Sequence, residues 1–287
     1  VDNLVWDGEE RLQDFFVRTV GAEDTQVTRE VSFRWMCAMY RRVKHPGCYF
    51  DAYIILTDPT QGTGKTKIFE KLTEGLDIRD GHGTTINYTA INASPTYNDK
   101  DNAMMINSSI ITTFDEGSDM KYSKLEKFKS FISQNTCNLR IPYEKYNKTI
   151  RVHTVFSVTT NDEKFLTDTT SNYERRAWVL KCHGNPNRSP EEWNKLIPNE
   201  YIQQMWAEAM YYYKEEGNNL KLTFSKNMEG YATSLQKEFM PEDSDLGMVE
   251  AFLEKKGDEY TCVKEIYCMV FNHIFSDSIP AWESKRI

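Results

Sequence analysis

Apolar side chains recur at helical spacing in three parts of the chain, and each pattern predicts a helix. The first covers Glu9–Val20, and the second runs from about Thr25 to Val43 with one apolar face. We expect that face to pack into the core, and His45–Gly47 to end the helix, because proline cannot continue it. The third covers Asn199–Glu216 and is followed by a glycine, the residue that most often ends a helix.

Short continuous apolar runs predict buried strands between these helices. Tyr49–Leu56 is rich in tyrosine, isoleucine and leucine, as expected for a strand covered on both faces. Further strands are predicted at Ser109–Phe114 and Val152–Thr159, and helices at about Thr66–Leu76 and Asp119–Ser133. This alternation indicates an α/β fold with a mostly parallel sheet covered by helices.

The same patterns divide the chain into three predicted parts. Residues 1–47 form a helical segment, and residues 48–235 form the α/β core. An acidic stretch that contains a proline then makes a candidate linker at 241–245. The last part, residues 236–287, carries two short helical patterns, Leu246–Lys255 and Val263–Phe275.

The composition is that of a soluble globular protein. Of the 287 residues, 39% are hydrophobic and 27% are charged, and no apolar run approaches the roughly 20 residues of a membrane span. We expect neither a membrane anchor nor a secretory leader. Six scattered cysteines are expected to be thiols in a reducing cytosol rather than metal ligands or disulfides, so a cytoplasmic protein is predicted. The net charge of −8 disfavours a wholly basic surface but allows a local basic lining.

A glycine-rich turn follows the first predicted strand and leads directly into a helix. It consists of Gln61, Gly62, Thr63, Gly64, Lys65 and Thr66. In this order, backbone N–H groups and the helix N-terminus surround phosphates, the lysine reaches the β- and γ-phosphates, and the threonine hydroxyl binds Mg²⁺. The turn therefore predicts a P-loop that binds ATP and Mg²⁺, with Pro59 in place of the usual first glycine. A chance loop of the same composition that binds no nucleotide is the alternative.

Two acids end the next long strand of the predicted core. Asp115 and Glu116 follow an apolar run, which is the layout of a Walker B element. Asp115 would then hold the magnesium shell, and Glu116 would polarise the attacking water. The alternative is an ordinary strand that ends in acids exposed to solvent.

Three further polar residues are candidates for contact with the nucleotide. Asn161 follows the strand predicted at Val152–Thr159 and would touch the γ-phosphate or the lytic water, unless it only caps the strand end. Arg175 and Arg176 come next along the chain. In ring ATPases an arginine from one subunit stabilises transition-state charge in its neighbour's site. A surface arginine pair bridged to Glu174 is the alternative.

A basic and aromatic hairpin is predicted between the two acids and Asn161. Its strands would be Leu139–Tyr143 and Thr149–Thr154. Lys145 and Lys148, in the segment that joins them, would contact the phosphates of DNA, while tyrosines there would stack on bases. A solvated hairpin without a ligand is the alternative.

The order of these segments resembles the virulence-associated protein E family, P-loop ATPases related to the replicative helicases of phages, plasmids and pathogenicity islands. The resemblance extends over nearly the whole chain, although Glu174 stands where the family usually has asparagine. The segments that carry it, in the family's order and spacing, are Trp6–Gly8, Arg11–Leu12, Arg41–Val43, Pro46–Cys48, Gln61–Thr66, Lys129–Ile132, Arg140–Tyr143, Thr159–Asp162 and Arg175–Arg176.

This resemblance implies an AAA+-like ATPase core that assembles as a homo-oligomer, a hexameric ring around DNA, with a partial winged-helix-like region at the end of the chain. It makes Arg140 a further candidate for the arginine that acts between subunits. The expected function is an ATP-dependent DNA helicase or translocase in the replication of a mobile genetic element. A nucleotide-gated DNA-binding scaffold or switch with negligible turnover is one alternative. A small-molecule kinase is another, which the acidic pair, the basic hairpin and Asn161 disfavour.

Overall fold

A computed structural model gives the fold of the chain. It describes residues 3–76, 78–79, 81–82, 84, 86–91, 106, 108–114, 132–139, 148–162, 176–224, 226–239, 249, 252–253, 255–257 and 259–284. The chain divides into two compact units, Val1–Met240 and Pro241–Ile287. The first unit holds the main sheet and every predicted site residue that the structure describes.

The structure gives bounds for the following strands and α-helices. The strands are β1 (Tyr53–Thr57), β2 (Thr89–Ala90), β3 (Ile111–Phe114), β4 (Thr136–Leu139), β5 (Lys148–Arg151), β6 (Val155–Thr160) and β7 (Ala177–Lys181). The helices are α1 (Phe15–Val20), α2 (Gln26–Lys44), α3 (Lys67–Glu74), α4 (Pro190–Leu196), α5 (Asn199–Glu216), α6 (Lys226–Glu238), α7 (Val263–Met269) and α8 (Ala281–Ser284).

Five of the strands form one parallel sheet in the order β2-β3-β6-β1-β7. This sheet confirms the predicted α/β fold. The strands predicted at Tyr49–Leu56, Ser109–Phe114 and Val152–Thr159 are present as β1, β3 and β6, each beginning a few residues later than predicted. The helices α2, α3 and α5 were also predicted, whereas β2, β7, α4 and α6 were not. The helix predicted at Asp119–Ser133 lies almost entirely outside the described residues.

The sheet is buried on both faces. On β1, Ile54 and Leu56 belong to a hydrophobic cluster that includes residues of α1, α2, α3 and α5. Tyr53 and Ile55 belong to a second cluster on the opposite face. Because successive side chains of a strand point to opposite faces, burial of both faces requires an apolar residue at every position. This is why the strand has no alternation of polar and apolar residues.

The first helix is shorter than the predicted Glu9–Val20, because it begins only at Phe15. The backbone N–H groups of Arg11 and Leu12 donate instead to one carboxylate oxygen of Glu208 on α5, at 2.7 and 3.1 Å. Glu208 is 1% exposed, and burial raises the pKa of its carboxyl to about 7 even though these two donors lower it. The N-terminal segment is therefore fixed by a residue far away in the sequence.

A buried arginine fixes α2 to the sheet. Thr25 caps the N-terminus of this helix by accepting a hydrogen bond from the Thr28 N–H. In the last turn, Arg42 is completely buried, and its terminal nitrogens donate to the carbonyls of Thr154 and Phe50, each at 2.6 Å. Burial lowers the pKa of Arg42 to about 10, so the group stays charged at neutral pH. Arg42 thus anchors the segments that lead into β1 and β6.

The predicted hairpin is present, but its strands begin earlier. Strands β4 and β5 pair antiparallel to each other. The pairing continues beyond them, since the N–H of Val152 donates to the carbonyl of Asn135 at 2.9 Å. Of the strands predicted at Leu139–Tyr143 and Thr149–Thr154, Leu139 and residues 149–151 are in strands, residues 152–154 are not, and residues 140–143 lie outside the described residues. The polar residues at the start of β4 concealed its strand character.

The register also moves one of the predicted DNA-binding lysines. Lys148 lies opposite Leu139 as the first residue of β5, and not in the segment that joins the strands. Residues 140–147, among them Lys145 and Arg140, lie outside the described residues. The contact of this hairpin with DNA stays a prediction.

In the second unit the structure gives the bounds of the helices α7 and α8. The predicted helix Val263–Phe275 was wrong over its last part, because α7 ends at Met269 and Asn272 adopts a φ of 58°, which no α-helix contains. Of the helix predicted at Leu246–Lys255, only Val249, Phe252, Leu253 and Lys255 are described, and all four are helical. The winged-helix-like region stays a prediction. In the part of the chain that the structure describes, no helix combines the length and apolar character of a membrane span.

Candidate nucleotide-binding site

The glycine-rich turn joins the carboxyl end of β1 to the start of α3, beside the ends of β6 and β7. Two of its glycines have positive φ, 73° at Gly62 and 87° at Gly64. A residue with a side chain rarely adopts such a backbone. At Gly64 there is also no space for one, because an added Cβ would lie 2.2 Å from Cζ2 of Trp193. The glycines therefore allow the turn that brings the chain to the helix N-terminus.

Lys65 lies inside the turn and is only 7% exposed. Its Nζ donates to the backbone carbonyls of Asp58 and Thr60, both at 3.1 Å. It also donates to Oδ1 of Asn161 at 2.6 Å. These three acceptors are neutral oxygens, and they hold the ammonium group at the centre of the loop. The structure thus joins two of the predicted site residues, Lys65 and Asn161, in one hydrogen bond.

A buried aspartate ties the turn to the end of β7. Asp58 is 2% exposed; its Oδ1 accepts from the Thr60 N–H at 2.9 Å, and its Oδ2 accepts from the Gly184 N–H at 3.0 Å. Gly184 is required by close packing, since a Cβ there would lie 2.6 Å from the carbonyl oxygen of Thr63. Asp58 therefore fixes the first half of the turn against the neighbouring strand.

The neighbouring strand β6 faces the second half of the turn. The hydroxyl of Thr66 lies 3.4 Å from the hydroxyl of Thr159 near the end of that strand. Asn161 follows two residues later. Thr66, the predicted magnesium ligand, therefore shares this end of the sheet with Lys65 and Asn161.

An open cleft of about 720 Å³ lies over the turn. One wall is the turn itself with Asn161, and another is formed by α4 and the residues before it. This second wall is contributed by Arg188, Pro190, Trp193 and Asn194. A recess of about 420 Å³ adjoins the cleft and shares Lys71, Glu74 and Asn194 with it. The cleft is thus large enough for a nucleotide, which ordinarily occupies a pocket of about 300–1,000 Å³.

The α4 wall was missed in the sequence analysis, although one local signal marks it. Ser189 and Glu192 form a capping box, in which each side chain accepts from the backbone N–H of the other. Pro190 at the first helical position strengthens that signal. The signal predicts a helix start, but nothing in the sequence indicates that Trp193 packs against Gly64.

Arg176 lies at the amino end of the strands, whereas the turn lies at their carboxyl end. It precedes β7, where its carbonyl accepts from the N–H of Tyr53 at the start of β1. Its guanidinium pairs with Asp51 at 3.0 Å. Since β1 spans five residues at about 3.3 Å each, Arg176 is roughly 15 Å along the strand direction from Lys65. Within one chain the structure does not bring Arg176 to the cleft.

Several of the predicted site residues lie outside the described residues: Asp115, Glu116, Arg175 and Lys145. The strand before the acidic pair, β3, is described and pairs with β6 up to Phe114 opposite Val158. The carboxyl end of β3 therefore lies at the same end of the sheet as the turn. The roles of the acids as metal ligand and base stay predictions.

The Cys182 thiol, which lies close enough to Asp58 and Lys65 to be affected by their charges, is not poised for chemistry. Burial, with the charge of Asp58, raises the pKa of the Cys182 thiol well above its usual value, so it stays protonated at neutral pH. Among the described residues, no group of three or more histidine, cysteine, aspartate or glutamate side chains is placed to hold a metal ion.

A model of the virulence-associated protein E-like domain matches residues 1–241 of the chain. Among curated protein sequences, none matches. Two solved structures with a similar fold are both apo structures of the NrS-1 C-terminal region, residues 305–718. At 12% identity they have TM-scores of 0.54 and 0.56 and cover 94% and 99% of this chain. The chain in turn spans 65% and 71% of theirs, so it corresponds to only part of those proteins.

Proposed function

The chain belongs to the virulence-associated protein E-like family, and on that premise we propose that it is an ATP-dependent DNA helicase or translocase acting in the replication of a mobile genetic element. The observation that carries the proposal is the glycine-rich turn at the end of β1. There Lys65 is buried, in contact with Asn161, at the N-terminus of α3. A strand, a glycine-rich turn and a helix in this order form the phosphate-binding element of P-loop ATPases.

The residues present fit the triphosphate of a nucleotide. Gly62 and Gly64 have no side chains of their own and adopt positive φ, as the close approach of a phosphate to backbone N–H groups requires. Lys65 supplies a positive charge and exchanges its carbonyl acceptors for phosphate oxygens. Thr66 supplies a hydroxyl of the kind that coordinates Mg²⁺ in this element. Bound ATP with Mg²⁺ would supply the phosphoryl group whose hydrolysis drives the motor.

Asn161 is proposed to report the state of the nucleotide. It accepts a hydrogen bond from Lys65, so a phosphate that draws Lys65 away changes the partner of the Asn161 amide. Asn161 follows β6, and that strand leads back to the hairpin of β4 and β5. Lys145 and Lys148 of this hairpin are proposed to contact DNA. A change at Asn161 therefore has a short path along one strand to the proposed DNA contact.

The position of Arg176 supports a role between subunits. Arg176 lies at the amino end of the strands, and the cleft lies at their carboxyl end. In a ring, Arg176 could therefore serve the cleft of a neighbouring copy. We propose a homo-oligomeric ring, with Arg175 or Arg176 stabilising the transition-state charge in the adjacent site. Asp51 holds Arg176 in the isolated chain and would have to share it with the neighbour.

The alternative function, a nucleotide-gated DNA-binding switch, differs from a motor in turnover. Glu116→Gln removes the proposed base while keeping the size of the side chain. In a motor this substitution abolishes steady-state ATP hydrolysis and leaves ATP affinity nearly unchanged, and Lys195→Gln on the exposed side of α4 serves as the control. If wild-type protein binds ATP but its slow turnover is the same in Glu116→Gln, the protein is a switch.

A further inference from the structure

The α4 wall of the cleft carries a cation of its own, Arg188. Its guanidinium lies over the indole ring of Trp193, 4.5 Å from the ring centroid. One terminal nitrogen, Nη1, donates to the carbonyl of Thr19 at 2.8 Å. Two contacts from different parts of the chain therefore hold the side chain in place, which reduces the entropy that a bound ligand would have to offset.

Trp193 places this cation close to the glycine-rich turn. The indole is 5% exposed and packs so closely on Gly64 that an added Cβ would lie 2.2 Å from it. The guanidinium of Arg188 and Gly64 of the turn therefore contact the same ring. Both Arg188 and Lys65 line the same cleft, so one extended anion can meet the two groups.

Arg188 differs from two other basic residues that line the cleft, Lys67 and Lys71. Lys67 and Lys71 form ion pairs with Glu70 and Glu74 on their own helix. Within the part of the chain that the structure describes, no carboxylate lies within ion-pair distance of Arg188, whose hydrogen-bond acceptor there is a neutral carbonyl. A half-buried guanidinium beside neutral groups is stabilised by an anion, and its planar fork matches phosphate oxygens.

We propose that Arg188 binds the phosphate chain of the nucleotide from the α4 wall, and that Trp193 positions it. This inference rests on the proposed nucleotide site and adds a second phosphate contact to Lys65. The nucleotide then joins the turn to α4, so binding stabilises the packing of that helix on the core.

The test measures affinity for a fluorescent ATP analogue in the presence of Mg²⁺, and its displacement by inorganic tripolyphosphate. We expect Arg188→Gln to weaken both ligands about tenfold, which corresponds to about 1.4 kcal/mol. Arg188→Lys should recover part of the affinity, because it keeps the charge. Lys195→Gln removes a charge from α4 outside the cleft, and this variant should bind like the wild type.

Three outcomes overturn the inference alone, and a fourth overturns the proposed function with it. If Arg188→Gln weakens the analogue but not tripolyphosphate, the residue contacts the nucleoside and not the phosphates. If affinity falls only in step with a lowered melting temperature and Arg188→Lys recovers nothing, the role is structural. If Arg188→Gln binds like the wild type while Lys65→Ala abolishes binding, Arg188 has no role although the proposed function stands. A wild-type protein that binds neither ligand would overturn the proposed function as well.

Discussion

Replacing Gly64 by alanine should destabilise the protein much more than replacing Gly62. Both glycines have positive φ, 87° and 73°, so each alanine costs about 1–2 kcal/mol of left-handed backbone strain. At Gly62 an added Cβ would lie 3.4 Å from Oδ1 of Asn187, which is an ordinary contact. At Gly64 it would lie 2.2 Å from Trp193, and forcing a methyl group into packed side chains costs about 1–3 kcal/mol more.

We therefore expect Gly62→Ala to lower the free energy of unfolding by about 1–2 kcal/mol and Gly64→Ala by about 2–5 kcal/mol. Equilibrium urea denaturation measures both. A Trp193→Leu background removes the ring. In that background the additional packing cost of Gly64→Ala should disappear, and its total cost should fall to that of Gly62→Ala. Equal costs of the two alanines in the wild type, or an unchanged difference in the Trp193→Leu background, would refute the packing of α4 on the turn.

Three further results are expected. Glu208→Gln should gain stability over the wild type from about pH 5 to about pH 8, as measured by urea denaturation. The carboxyl has a pKa of about 7 in the folded protein against its usual 4.5. Wild-type stability is therefore greatest below pH 4.5 and is lost as the pH rises through about 7. Arg42→Met should cost about 2–5 kcal/mol in the same assay, because two buried carbonyls lose their donors, whereas Arg29→Met, in an exposed ion pair, should cost less than about 1 kcal/mol. Arg176→Ala should leave ATP affinity unchanged but lower ATP hydrolysis, and Asp51→Asn should not reproduce that loss.

Each of these expectations has a result that contradicts it. An advantage of Glu208→Gln that is the same at every pH would mean that this carboxyl does not titrate in the range. Equal costs for Arg42→Met and Arg29→Met would mean that the buried carbonyls find other donors. For Arg176, the deciding experiment mixes Lys65→Ala subunits with Arg176→Ala subunits. If the arginine acts on its neighbour, the mixture should regain hydrolysis, because a Lys65→Ala subunit supplies its arginine to the intact site of an Arg176→Ala subunit. No gain on mixing would leave Arg176 as the partner of Asp51 alone.

Features set by local pattern could be predicted from the sequence. The helix α5 has the bounds that its apolar spacing and following glycine predict, Asn199–Glu216. The strand, glycine-rich turn and helix around Lys65 follow the prediction because each is specified by neighbouring residues. The parallel sheet followed from the alternation of such elements. The same local order of residues supported the resemblance to the family that matches residues 1–241.

Features set by distant contacts could not be predicted in this way. The start of α1 depends on Glu208, which offers its carboxylate to two N–H groups near the other end of the unit. The α4 wall depends on Trp193 meeting a glycine more than a hundred positions earlier. Arg176 lies at the end of the sheet opposite the cleft because it directly precedes β7, which pairs in parallel with the distant strand β1. In each case the decisive partner is close in space but remote in sequence.

The central claim, an ATP-driven DNA motor, is tested most directly by ATP hydrolysis with and without single-stranded DNA. The wild type is compared with Lys65→Ala, Glu116→Gln and the control Lys195→Gln. We predict hydrolysis that DNA stimulates, that Lys65→Ala and Glu116→Gln abolish, and that Lys195→Gln leaves unchanged. Hydrolysis that is indifferent to DNA, or that persists in Lys65→Ala, would contradict the account.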